Sequence, residues 1–151
     1  NTIIRENLEN IITSFVEADE NIVFPIHPRT ERFIEEYNLC DMLYECPSIK
    51  TIKPLGHLDF LKLIKNAKKI ITDSGGIQKE AYILGVPCIT LRNNTEWIET
   101  VEEGWNILVG TDKKKIIDSI REFNPGNLRN DVYAQGASKY IAKIIASLRC
   151  D

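Results

Sequence analysis

The sequence predicts a doubly wound α/β domain: a mostly parallel sheet of about six strands, with helices on both faces. Three observations carry this. Short apolar runs alternate about five times with stretches of helical periodicity. The runs are apolar throughout, as strands covered on both faces must be, and do not alternate with polar residues. The chain has 151 residues, 43% apolar and 27% charged, which suits one globular domain and is too apolar for disorder. No repeat, linker or low-complexity segment interrupts it, so a single domain over 1–151 is expected.

The elements follow in order. Thr2-Ile3-Ile4 reads as a strand cut short by the chain start. Leu8, Ile11, Ile12, Phe15 and Val16 recur at i, i+3, i+4, i+7 and i+8, one face of an amphipathic helix. Asn21 to Ile26 is a buried strand, His27 to Thr30 a turn, and Phe33, Ile34 and Tyr37 mark a short helix. Ile49 to Ile52 is the next strand, ended by Pro54 and Gly56. Phe60, Leu61, Leu63, Ile64 and Ala67 then line a helical face. Lys69 to Thr72 is a strand, Asp73-Ser74-Gly75-Gly76 a turn, and Ile77 to Leu84 a helix. Gly85-Val86-Pro87 stops that helix, since glycine takes the left-handed C-terminal position and proline cannot continue it. Cys88 to Leu91 is a strand, Thr95 to Val101 a short helix, and Ile107 to Val109 a strand. Ile116, Ile117, Ile120 and Phe123 mark a further helix, and Ile141, Ile144 and Ile145 the last.

Charge and cysteine usage exclude several classes. The net charge is −3, so the basic footprint of a nucleic-acid binder is absent. Lys113-Lys114-Lys115 opens an amphipathic segment and reads as a solvated face. The cysteines at 40, 46, 88 and 150 form no C-x-x-C pair, and His27 and His57 are the only histidines, so no metal is expected. Cys88 lies in an apolar run and reads as core, and unpaired cysteines suit a reducing cytoplasm. No stretch nears the roughly 20 apolar residues of a membrane span, and no leader peptide is expected. The chain lacks an initial Met, which predicts either processing or a piece of a longer protein.

Ligands of doubly wound sheets bind at the carboxyl ends of the strands. The loops expected to carry function are therefore 26–30, 54–57, 73–76 and 92–96. In Asp73-Ser74-Gly75-Gly76-Ile77-Gln78-Lys79-Glu80, a strand runs into two glycines and a helix begins at once. Bare backbone and the free amides of a helix N-terminus attract an anion, most simply a phosphate. Ser74 adds a hydroxyl, and Glu80, about one turn further, can accept hydrogen bonds from ribose hydroxyls. The same residues also read as a tight turn, with Ser74 as N-cap and Glu80 in solvent. Arg92-Asn93-Asn94-Thr95-Glu96 follows another strand. It reads either as a polar clamp on a ligand or as a capping box in which Thr95 starts a helix.

Thr72 to Ala81, with Gly85-Val86-Pro87, Leu91-Arg92, Thr95-Glu96, Glu99 and Leu108 to Asp112, resembles the UDP-N-acetylglucosamine 2-epimerase family. Phe24 to Thr30 is similar to its F-P-V-H-P segment, Pro54 to Leu61 to its P-L-x-Y-L-x-F segment, and Glu6-Asn7 to the end of its T-x-H-R-x-E-N segment. The resemblance implies a Rossmann-like lobe of the GT-B fold, matched here by the C-terminal lobe alone, with the N-terminal lobe of the parent protein absent. It implies that Ser74, Gly75 and Gly76 hold the diphosphate of a UDP-sugar and Glu80 the ribose. Phe60 and the backbone near Leu55 border the uracil, and Arg92, Thr95 and Glu96 line the sugar-diphosphate side. His27 takes an active-site-facing place, whereas His57, at a family Tyr position, is structural. The implied reaction is inversion at C2 of UDP-N-acetylglucosamine to UDP-N-acetylmannosamine, by UDP elimination to a glycal and re-addition. The proton-transfer carboxylates come mainly from the other lobe, and neither metal nor nicotinamide is required.

The same resemblance implies a cytoplasmic, homodimeric full-length isomerase of cell-envelope polysaccharide synthesis, with no nucleic-acid or membrane partner. Two residues depart from the pattern: Ile3 or Ile4 stands at a family histidine, and Trp97 at an arginine. A GT-B glycosyltransferase lobe and a non-catalytic UDP-sugar-binding module are the competing readings.

Overall fold

The computed structural model describes residues 4–126, 130, 133 and 137–147. Helix α1 (Arg5–Ala18) buries Leu8, Ile11, Ile12 and Phe15, the face its periodicity predicts, and ends where Asp19 turns left-handed. Strand β1 (Ile22–Pro25) follows. The turn expected at 27–30 is instead the start of α2 (Pro28–Glu36). Proline is pre-set for the first helical position, and His27 Nδ1 accepts the Arg29 amide at 3.2 Å as N-cap. A one-turn helix, α3 (Cys40–Tyr44), is too short to show periodicity and was not expected. Strand β2 (Ile49–Ile52) and α4 (His57–Lys65) come next.

Strand β3 (Ile70–Thr72) leads into α5 (Gly75–Leu84), which Gly85 closes at φ 71°. Strand β4 (Cys88–Thr90) follows. Helix α6 (Ile98–Glu102) starts three residues later than the sequence suggests, and Thr95 does not cap it. Strand β5 (Asn106–Leu108) and α7 (Lys113–Glu122) complete the alternation, Asp112 capping α7 through the Lys115 amide at 2.9 Å. Helix α8 (Ala137–Ser147) exposes Tyr140, Ile141, Ile144 and Ile145.

All pairings are parallel, with β1 beside β2 and the order β3-β4-β5. The described residues thus form five strands in two sheets, where one sheet of about six was expected. The extra strand was expected at 2–4; residues 2 and 3 lie outside those described, and Ile4 is the N-cap of α1. The split has a simple cause: apolar runs identify strands, but which strands pair is a tertiary matter. Here β1 pairs to β2 and β3 to β4, and no ladder joins β1 to β3.

The helices still cover two faces. Alternation along β4 sends Ile89 to one side and Cys88 to the other. Ile89 joins a core of Leu8, Ile12, Ile34, Leu43 and Ile116, which also takes in Ile26 and Ile49 beside the other sheet. Cys88 joins Ile64, Ala81 and Val86, under α4 and α5. One shared layer therefore holds the two sheets together, and the second layer carries the loops after β2 and β3.

Candidate functional site

The site is built on the N-terminus of α5. Its first helical hydrogen bond is Gln78 N–H to the Ser74 carbonyl at 3.2 Å, so the amides of Gly75, Gly76 and Ile77 have no partner within the helix. Ser74 is the N-cap residue, yet its side chain caps nothing. Gly75 and Gly76 have ordinary helical φ; among the described residues the left-handed glycines are Gly85, Gly104 and Gly110. The pair is therefore not there to make a left-handed turn. A Cβ on Gly76 would meet only Ser74 Oγ at 3.9 Å, whereas a Cβ on Gly75 would collide with the Glu96 carboxylate.

A cavity of about 400 Å³ opens against this helix end, at the small end of ligand-binding cavities. Ser74 and Gly76 form its floor, and Ile77 and Glu80 rise from α5 as one wall. Leu55, His57 and Phe60, from the loop after β2 and the start of α4, form the facing wall. His57 Nδ1 lies 3.8 Å from Glu80 Oε1 across the mouth. The cavity thus offers bare amides and an acceptor carboxylate from α5 and an aromatic ring from α4. Such a set fits an anion, a hydroxyl-bearing ring and a flat base.

The loop after β4 is clamped from below. Gln78, fully buried on α5, accepts at Oε1 from Thr95 Oγ1 at 2.6 Å and from Asn106 Nδ2 at 3.2 Å. Asn106 also accepts from Thr90 Oγ1 at 2.7 Å and donates to Thr100 Oγ1 at 3.0 Å. Thr95 Oγ1 accepts the Trp97 amide at 3.0 Å. Above this network Glu96 accepts from Arg92 at 3.1 Å. Beside it, Lys79 Nζ lies 4.5 Å from the Trp97 ring centre and 4.8 Å from that of Tyr133. Burial raises the Tyr133 phenol above its ordinary value, with the Glu99 carboxylate adding to the shift.

The structure brings Ser74, Gly76, Glu80, Phe60 and Leu55 together in the cavity. It sets Glu96 against Gly75 and pairs it with Arg92. Thr95 turns inward to Gln78, and His27 caps α2 outside the cavity lining. Two residues gain a place that sequence reading did not assign. His57 lines the cavity instead of standing apart from it. Gln78, which points away from Glu80, braces the Arg92–Glu96 loop. A buried glutamine on an otherwise apolar helix face is the one local signal that could have marked it.

A doubly wound α/β fold, with a cavity over a bare helix N-terminus at the carboxyl ends of its strands, defines a Rossmann-like lobe. The family model described as UDP-N-acetylglucosamine 2-epimerase matches residues 1–148. The chain belongs to that family. It is 53% identical over 149 residues to a UDP-N-acetylglucosamine 2-epimerase homolog of Methanococcus maripaludis, covering 99% of this chain and 42% of that protein. It is 53% identical over 120 residues to the UDP-N-acetylglucosamine 2-epimerase of Methanocaldococcus jannaschii, covering 77% of this chain and 33% of that one. The crystal structure of the M. jannaschii UDP-GlcNAc 2-epimerase in complex with UDP-GlcNAc and UDP superposes with a TM-score of 0.89 at 46% identity, over 97% of this chain and 42% of that one. The chain therefore spans less than half the length of these relatives.

Proposed function

We propose that residues 1–151 form the nucleotide-holding lobe of a UDP-N-acetylglucosamine 2-epimerase, with a second lobe of the parent protein completing the active site. The observation that carries this reading is the cavity in which the unpartnered amides of α5, Glu80 and Phe60 converge. The amides of Gly75 and Gly76, with the Ser74 hydroxyl, hold the diphosphate; the glycines let its oxygens reach the backbone. Glu80 accepts the ribose hydroxyls, and Phe60 with Leu55 borders the uracil. Arg92 and Glu96 flank the sugar-diphosphate side, Thr95 ties their loop to Gln78, and His27 stands towards the other lobe.

In the parent protein a base removes the C2 proton of the sugar while the C1–O bond to UDP breaks, leaving a glycal and UDP. Re-addition of UDP at C1 and of a proton on the opposite face of C2 gives UDP-N-acetylmannosamine. The lobe described here keeps UDP in place between the two steps, so that re-addition competes with its escape. The carboxylates that move the protons belong mainly to the other lobe. The full-length protein is a cytoplasmic homodimer serving cell-envelope polysaccharide synthesis.

Calorimetric titration of this chain with UDP, beside a turnover assay with UDP-N-acetylglucosamine, tests the reading. Weak UDP binding without turnover is expected. Epimerisation by the chain alone would overturn the division of labour between lobes, and a chain with no affinity for UDP would overturn the cradle.

A further inference from the structure

Glu96 is held in place by the scaffold. The Arg92 carbonyl accepts the Gly110 amide at 3.3 Å, and Asn93 lies so close to Gly110 that a Cβ there would strike it. On the other side Thr95 is bonded to Gln78, one turn into α5. The loop is thus fastened at one end to Gly110, after β5, and at the other to α5, the helix that forms the cradle. Its carboxylate rests against the Cα of Gly75, the first residue of α5. Its other oxygen holds Arg92, the one arginine of this loop. A carboxylate on a helix N-terminus with a guanidinium behind it has the charge arrangement that a bound phosphate would have.

We propose that Glu96 sets the charge requirement of the cradle: its carboxylate takes the phosphate position at Gly75, and a ligand is accepted only if it can displace it and take over Arg92. The proposal rests on the reading of the Gly75-Gly76 turn as a diphosphate site. A diphosphate meets the requirement because it can engage the amides and the guanidinium together. A monophosphate replaces the Glu96 carboxylate at one of those partners only, and a neutral nucleoside at neither. Glu96 is then a specificity-determining residue that favours nucleoside diphosphates and their sugar esters over the mono- and unphosphorylated forms.

The test is calorimetric titration of the wild-type chain, Glu96→Gln and Glu96→Ala with UDP, UMP and uridine. Both variants are expected to bind UDP about twofold to fivefold more tightly than wild type, the range of one charge removed from a helix N-terminus. UMP should gain more than UDP does, so that the preference for UDP over UMP narrows, while uridine affinity stays unchanged. Equal or weaker UDP binding by both variants, with wild type still preferring UDP to uridine, would overturn the proposal and leave the diphosphate site standing. A wild-type chain that binds UDP no better than uridine would overturn both. Because Glu96 is about half exposed, neither substitution touches the core.

Discussion

Gln78 and Glu80 are two residues apart on α5, about 200° around the helix from one another. Gln78 is fully buried and ties α5 to Thr95 and Asn106, while Glu80 lines the cavity. Their alanine variants should therefore fail in different ways. Glu80→Ala should weaken UDP binding by about 1.5–3 kcal/mol, the value of a charged-group hydrogen bond, with melting little changed. Gln78→Ala should lower stability by about 1–3 kcal/mol, because it strands Thr95 Oγ1 and leaves a buried gap. Thermal melting and UDP titration of both variants check this; equal UDP affinities would remove Glu80 from the ribose. The two glycines divide in the same way. Gly76→Ala adds a Cβ that the fold accommodates, and alanine is favoured over glycine inside a helix by about 0.5–1 kcal/mol. The variant should melt no lower than wild type, yet bind UDP more weakly because the methyl stands in the cavity. Retained UDP affinity would argue that the ligand does not approach the backbone at Gly76.

At the scale of elements, two cations close helix C-termini from neighbouring parts of the chain. Arg121 of α7 donates to the Glu17 carbonyl at 2.7 Å and the Ala18 carbonyl at 3.3 Å, at the end of α1. Lys69, just before β3, donates to the Ile120 carbonyl at 2.7 Å and the Ser119 carbonyl at 3.3 Å, at the end of α7. Burial lowers the Lys69 ammonium below its ordinary value, with the Glu20 carboxylate opposing the shift. These contacts satisfy carbonyls that a helix end cannot pair for itself and place positive charge where the helix dipole favours it. Arg121→Ala should cost about 1 kcal/mol in urea unfolding. Lys113→Ala, which breaks the half-exposed Lys113–Glu17 ion pair on the same helices, should cost less. A larger loss from Lys113→Ala would mean that the ion pair, and not the cap, joins α1 to α7.

Across the whole molecule, the clearest pH dependence comes from Cys88. Burial beneath α4 and α5 pushes its thiol from 9.0 up to about 11, partly opposed by its hydrogen bond with Thr90. The folded chain therefore keeps the thiol neutral where the unfolded chain ionises it. The stabilisation is complete below about pH 9 and is lost as pH rises towards 11. Between pH 8 and 10.5 the stability gap separating wild type from Cys88→Ala should narrow by about 2 kcal/mol, at 1.36 kcal/mol per pH unit. Urea titrations at the two pH values measure it. A gap that stays constant would mean that the thiol is not held from solvent in the second layer.

The identity and order of the main elements, and the strand-turn-helix segment that lines the cavity, could be read from the residues alone. Apolar runs, helical spacing and the Gly85-Val86-Pro87 stop are local, and each acts on the backbone within a few residues of itself. The Asp73-Ser74-Gly75-Gly76 turn and Glu80 could be placed for the same reason: a strand, two glycines and one helical turn bring them to one edge. Even there the boundary moved, since Gly75 and Gly76 lie inside α5 and not before it. What the fold alone decided are the meetings of residues distant in sequence. Gln78 clamps Thr95, 17 residues on, Glu96 covers Gly75, and His57 faces Glu80 across the cavity. The division of five strands between two sheets is a decision of the same kind. Each depends on which strands pair and in what register, and on where the crossover helices set the following loop. Periodicity states which face of an element is buried, but it carries no information about what lies on the other side of that face.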